Sequence, residues 1–394
     1  MNFVFISPQF PKTYWNFCDR LKKNGFNVLA LGDTPYHELS KELICSITEY
    51  YYVPSLEDYE QVYKAMGYFI FHYGRIDYLE SNNEYWLETD AKLRTDFNIE
   101  GLKVEQLNDF KSKSAMKKFY EKAGVKVARY HLVNENIDEA RNFIDKVNYP
   151  VIVKPDIGVG AAKTYKIKND AELVEFYNHL PDVQYIMEEY VNGLICSYDG
   201  IADENREIVF ETSHEFPNPI MDVVNNIDHL SYYSLREIPE DLKRVGRATM
   251  KVFPTNKRCF HFEFFRLLED KEGLGYKGEI IALEVNMRTP GGYTADMINF
   301  ANDFDLYDAY AKMMKGEKPK YDPNHRPYFC MYVCRRDHMN YLHSHEEIME
   351  RYHDVIKMAE RMPEVLSGAM GNQMYTAIFS DFEDAKEFRA FIHE

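Results

Sequence analysis

The first hundred residues switch between short apolar runs that read as strands and the 3.6-residue period of a helix. Phe3–Ile6 is a short apolar run, and Tyr14, Phe17, Cys18 and Leu21 then share one face of a predicted helix ending near Lys23. Gly25 stops that helix, and Val28–Leu31 predicts the next strand. This β-α-β opening predicts a small doubly wound sheet over residues 1–107. Its first turn, Ser7-Pro8-Gln9-Phe10-Pro11, has no glycine, so it cannot press backbone amides onto a pyrophosphate as a GxGxxG turn does.

Beyond it the pattern predicts a lysine-rich helix from Asp109 to Lys122, closed by Gly124, and an amphipathic helix from Asp138 to Val147. Strands are predicted at 150–155, 164–167, 184–190, 197–202, 208–211, 259–267 and 279–287. A helix from Ala295 to Lys315 follows, ending at Gly316. Pro319, Pro323 and Pro327 mark a linker, after which residues 328–394 predict a small α+β unit.

Composition narrows the class. Hydrophobic residues make up 45% and charged residues 28% of 394, the profile of a globular protein of several compact units. The net charge of -17 disfavours nucleic acid as a partner. Six scattered cysteines form no CxxC pair, which disfavours disulfides and structural zinc. No run approaches the roughly 18 apolar residues of a membrane helix, so no membrane partner and a cytoplasmic location are expected.

Three segments carry candidate chemistry. In Ile280–Arg288, alternation puts Glu284, Asn286 and Arg288 on one face and Ile281, Leu283, Val285 and Met287 on the other. The preceding aromatic strand, His261-Phe262-Glu263-Phe264-Phe265, offers Glu263, and a glycine-containing connection could close a hairpin that sets it beside Glu284. Two carboxylates and an amide oxygen suit Mg²⁺, and Arg288 suits a phosphate oxygen. An ion pair between Glu284 and Arg288 on a solvated face is the alternative.

In Tyr149–Ala161, Lys154 stands alone in a β-branched strand ahead of Gly158 and Gly160. A lysine there must be paired or face a ligand, and the glycines permit close backbone approach to phosphates. A plain turn is the alternative. A Walker A loop fails, because Ile157 and Ala162 stand where it needs glycine. The third segment, Ile186-Met187-Glu188-Glu189-Tyr190-Val191 before Asn192-Gly193, suits a hinge whose backbone meets a base edge, or only a turn.

Taken in order, a lysine near Lys113, "YPVIVKP" with its glycine turn, "MEEYVNG", "FHFEFF" and "LEVNMRTPGG" resemble the ATP-grasp superfamily, in its carboxylate–amine ligase branch. The resemblance covers residues 108–315. It implies an α/β and α+β architecture: a pre-ATP-grasp Rossmann-like domain (1–107), two grasp lobes (108–187 and 188–318) and a C-terminal α+β unit (319–394).

It also implies ATP and Mg²⁺ as cofactors, with Mn²⁺ as an alternative metal. Lys113, with Lys111 competing, and Lys154 would meet the phosphates, and the Gly158–Gly160 loop would close over them. Glu188 would lie near the adenine amino group, with backbone contacts from Glu189 and Val191. Glu263, Glu284 and Asn286 would hold metal, and Arg288 would be catalytic. The acid expected seven positions past Glu188 is Ile195 here, which leaves Asp199 as a substitute contact to the ribose.

The implied activity is ADP-forming ligation of a small carboxylate to an amine, in a possible homodimer. Bicarbonate phosphorylation and a non-catalytic nucleotide sensor are the alternatives.

Overall fold

The computed structural model describes residues 1–158, 163–217, 223, 227–255 and 257–394. Strands β1 (Asn2–Ile6), β2 (Asn27–Gly32), β3 (Glu49–Tyr52) and β4 (Tyr78–Glu80) form a parallel sheet in the order β3-β2-β1-β4. Every residue of β1 is buried, as expected of a parallel strand covered on both faces. Phe3 and Phe5 face the helix Trp15–Lys23, while Val4 and Ile6 face the helix Tyr59–Tyr73. The first of these cores also includes Tyr307 and Tyr310, whose rings stand 4.7 and 5.2 Å from Phe17. The amino-terminal sheet is therefore packed onto the rest of the molecule.

β5 (Lys126–Val127) joins the edge of a large sheet described below. β6 (Tyr130–Leu132), β7 (Val151–Pro155), β8 (Tyr165–Ile167) and β9 (Tyr185–Glu189) make a second, antiparallel sheet in the order β6-β9-β7-β8. The helix Ile137–Val147 covers one face of it through Ala140, Ile144 and Val147.

β10 (Gly193–Ala202), β11 (Ile208–Phe216), β12 (Ser231–Ser234), β13 (Arg258–Leu267) and β14 (Ile280–Asn286) belong to the large sheet. β15 (Phe329–Arg335), β16 (Ile356–Arg361) and β17 (Gln373–Phe379) continue it, giving the order β16-β17-β15-β12-β11-β10-β13-β14-β5. Tyr232 opposite Tyr332 makes the join between β12 and β15.

Two predicted helices are each broken once. The lysine-rich one divides at Ser112 into Leu107–Lys111 and Lys113–Lys122. The other divides at Asp303, in the left-handed region, into Thr294–Asn302 and Leu306–Lys315. Asp305 caps the second piece by accepting from the Asp308 amide at 2.9 Å. Among the described residues, no helix is long and apolar enough to cross a membrane.

Candidate active site

The hairpin of β13 and β14 sets Glu263 directly opposite Glu284. Side chains paired in this way lie on the same face, about 5 Å apart at Cβ. The expected alternation along β14 does not hold throughout, because Phe264 pairs with Ala282 and leaves Leu283 as an extra, unpaired residue. That bulge exchanges the two faces. Upstream of it, Ile280 and Ala282 join Val285 and Met287 in one core, whereas Ile281 packs in another and Leu283 lines the cavity. Glu284, Asn286 and Arg288 line that cavity as expected.

Desolvation pushes the Glu284 carboxyl above its ordinary range; Lys113 opposes the shift and the Glu263 charge adds to it. Desolvation would raise Glu263 too, but His261 outweighs it and holds that carboxyl low. Arg288 does not pair with Glu284. Its Nε donates to Glu84 Oε2 at 3.1 Å, its Nη1 to the Thr289 carbonyl at 2.8 Å and its Nη2 to Asn286 Oδ1 at 3.2 Å. One N–H on each terminal nitrogen is left for a ligand.

The break at Ser112 places the next lysine. Ser112 Oγ donates to Asp156 Oδ2 at 2.6 Å, and the Lys113 and Ser114 amides donate to Asp156 O and Oδ1 at 2.9 and 2.8 Å. The helix start is thereby tied to the turn after Lys154. Lys113 Nζ reaches the Gly158 carbonyl at 2.8 Å and lies 3.5 Å from Glu284 Oε1. Lys111, the competing candidate, pairs with Glu88 at 3.3 Å and does not line the cavity. Gly160 lies outside the described residues.

Glu188 is held between two buried lysines, Lys117 at 2.6 Å and Lys154 at 2.6 Å. Burial alone would raise its carboxyl, but the two ammonium groups outweigh that and bring it down to about 2. Glu189 accepts from the Arg129 amide at 2.7 Å and from its guanidinium at 2.6 and 3.0 Å. Its side chain is thus occupied, while Val191 and Ile195 line the cavity.

Asp199 cannot serve a ribose. It is fully buried, accepting from Ser197 Oγ at 2.5 Å, His214 Nδ1 at 2.7 Å and His261 Nδ1 at 2.5 Å. His261 then reaches Glu263 Oε1 through Nε2 at 3.2 Å. Burial disfavours the imidazolium, but Asp199 and Glu263 outweigh this and raise His261 to about 9, so both ring nitrogens donate.

Sequence patterning missed Lys117, Glu84 and His261. Lys117 left a signal four residues past Lys113 on the same helical face, and His261 left one two residues before Glu263 on the same strand.

Lys113, Lys154, Glu188, Glu263, Glu284 and Arg288 line one cavity of about 610 Å³, together with His261 and Asn286. Among the described residues, no cluster of three or more His, Cys, Asp or Glu forms a metal cage. Glu263, Glu284 and the Asn286 amide oxygen still fit Mg²⁺, which commonly takes one or two carboxylates and completes its shell with phosphate and water. Two opposed carboxylates, one of them raised by its surroundings, also favour a cation between them.

Residues 112–185 match the family described as the carbamoyl-phosphate synthase L chain, ATP binding domain. The chain is 23% identical over 258 residues to the L-arginine-specific L-amino acid ligase of Bacillus subtilis, covering 63% of this chain and 60% of that one. It therefore spans about 60% of that curated relative's length. The L-amino acid ligase from Bacillus licheniformis superposes with a TM-score of 0.74 at 13% identity, over 99% of this chain and 96% of that one. The biotin carboxylase domain of Hydrogenobacter thermophilus 2-oxoglutarate carboxylase, in complex with MgADP, ADP and bicarbonate, superposes with a TM-score of 0.70 at 13% identity, over 98% and 88% of the two chains.

Proposed function

We propose that this chain is a member of the ATP-grasp superfamily and a ligase that uses ATP to activate a small carboxylate as an acyl phosphate for attack by an amine. The observation that carries this reading is the opposed pair Glu263 and Glu284, with Lys113, Lys154 and Arg288 lining the same cavity. That arrangement places cation-binding oxygens and phosphate-binding cations around one space.

The chemistry divides into two displacements. An oxygen of the substrate carboxylate attacks the γ-phosphorus, the bond to the β-phosphate oxygen breaks, and ADP leaves. The amine nitrogen then attacks the acyl carbon, the C–O bond to phosphate breaks, and phosphate departs as the nitrogen loses its proton. Mg²⁺ bound by Glu263, Glu284 and Asn286 would supply charge neutralisation at the β- and γ-phosphate oxygens. Lys113 and Lys154 bind and orient the phosphates. Arg288, anchored to Glu84 and Asn286, directs its remaining N–H groups at the transferred phosphoryl group and the carboxylate. The backbone around Glu189 and Val191 borders the base. Catalysis of this kind rests on positioning and on keeping water from the acyl phosphate.

The reading is tested by measuring ADP and phosphate from purified protein, Mg-ATP and pooled carboxylates and amines. Release that requires both an acid and an amine is expected. AMP and pyrophosphate, or nucleotide binding without turnover, would refute it; the latter would favour the sensor alternative. Bicarbonate is included as an acid because the Hydrogenobacter neighbour was solved with it.

Lys154→Met should raise the KM for ATP by about 10–100-fold, the worth of one charge-assisted contact. Steady-state kinetics in ATP check this. An unchanged KM would remove Lys154 from the nucleotide site.

A further inference from the structure

The cavity has a second end that the nucleotide and metal groups do not use. Pro290 and Gly291, two and three residues past Arg288, line it, and the wall beyond them comes from Phe216, Leu230, Tyr232, Ala369 and Met370. Tyr232 lies buried in that wall. Its hydroxyl is already paired with Thr294 Oγ1 at 2.8 Å, and its ring stacks on Phe216 at 4.9 Å and on Tyr332 at 4.8 Å.

Gly292 makes room for Met370. A Cβ at that glycine would come to 2.7 Å from Met370 Cε, and its φ of +62° disfavours other residues. Among the described residues, the acids lining the whole cavity are Glu188, Glu189, Glu263 and Glu284, and none of them belongs to this end. The lining cations among the described residues, Lys113, Lys154, His261 and Arg288, belong to the nucleotide and metal end as well. Among the described residues a charged side chain entering the second end would therefore lose water without gaining a partner, which is costly; an apolar one would gain by burial.

We infer that this end is the pocket for the substrate's side chain, and that it selects a carboxylic acid with an apolar or aromatic side chain. The carboxylate lies towards Arg288 and the paired glutamates, and the side chain runs past Pro290 towards Met370. Selectivity then comes largely from the C-terminal residues, through Ala369 and Met370, which sit on the helix Glu364–Met370. The inference rests on the ligase reading and narrows its substrate.

The test measures ADP release with Mg-ATP, L-alanine as a common amine and single L-amino acids as carboxylates. L-Leucine, L-methionine and L-phenylalanine should exceed L-arginine, L-lysine and L-glutamate in kcat/KM by about tenfold or more. Ala369 is half-buried, so Ala369→Phe can fill the pocket without opening the core. It should lower the ratio of kcat/KM for L-phenylalanine over that for L-alanine by about tenfold, mainly through the KM of the acid, with the KM for ATP moving far less. Charged acids used as well as apolar ones, or an Ala369→Phe effect equal for all acids, would overturn the inference and leave the ligase intact. No ADP with any acid and amine would overturn both.

Discussion

Glu284→Gln is expected to lower turnover by about a thousandfold or more, equivalent to roughly 4 kcal/mol of lost transition-state stabilisation. The amide keeps the size and one oxygen of the side chain but not the charge that, in the proposed reading, holds a cation against the phosphates. The fold should not suffer. Glu284 is raised by desolvation and by Glu263, so neutralising it relieves repulsion between the opposed carboxylates. The metal-free variant should melt at or slightly above the wild-type temperature, yet lose the stabilisation that Mg-ADP gives the wild type. Kinetics and thermal melts with and without Mg-ADP separate these effects. Near-normal turnover would remove the metal site, and collapse of the metal-free fold would make Glu284 structural.

Glu80→Gln carries the largest expected effect on stability. Glu80 lies at the end of β4 and ties two buried guanidinium groups together, Arg94 Nη2 at 2.9 Å and Arg258 Nη2 at 2.9 Å. Arg94 belongs to the amino-terminal domain and Arg258 begins β13, so this carboxylate fastens that domain to the strand that bears Glu263. Removing the charge leaves Arg258 short of its carboxylate and Arg94 with only Asp90, 3.7 Å away, a loss of about 3–5 kcal/mol. Arg258→Met in the same chain should restore part of it.

The pH dependence has a definite sign. Desolvation would raise Glu80, but Arg258 and Arg94 outweigh it and hold the folded-state value below the ordinary 4.5. Its stabilisation is therefore present above that pH and is lost as pH falls through the lowered folded value. The variant should lack this part of the acid sensitivity. Melting curves across pH 3–8 check both points, and identical curves for the two proteins would show that the cluster contributes nothing.

How much of this was legible in the sequence depended on whether the partner was local. The apolar run of β1, the helix face of Phe17 and Leu21, and the hairpin joining Glu263 to Glu284 all follow from residues near each other in the chain. Lys154 announced itself as a lone cation in an apolar strand, and Glu188 is indeed its buried counterion.

Features with distant partners were not legible. The helix breaks at Ser112 because Asp156 accepts from it, 44 residues away. Arg288 turns from Glu284 to Glu84 across 204 residues. The bulge at Leu283 reverses the faces of β14 within a segment whose apolar pattern fits either register. Asp199 looked free for a ribose only because His214 and His261, on the neighbouring strands, could not be placed beside it.

The central claim is that a carboxylate oxygen attacks the terminal phosphorus of ATP. Incubating the protein with Mg-ATP and a pool of amino acids, L-alanine among them, all ¹⁸O-labelled in the carboxylate, and weighing the released phosphate by mass spectrometry, tests it most directly. The mechanism requires one labelled oxygen in each inorganic phosphate formed together with a new amide. Unlabelled phosphate, or the label in AMP, would contradict it.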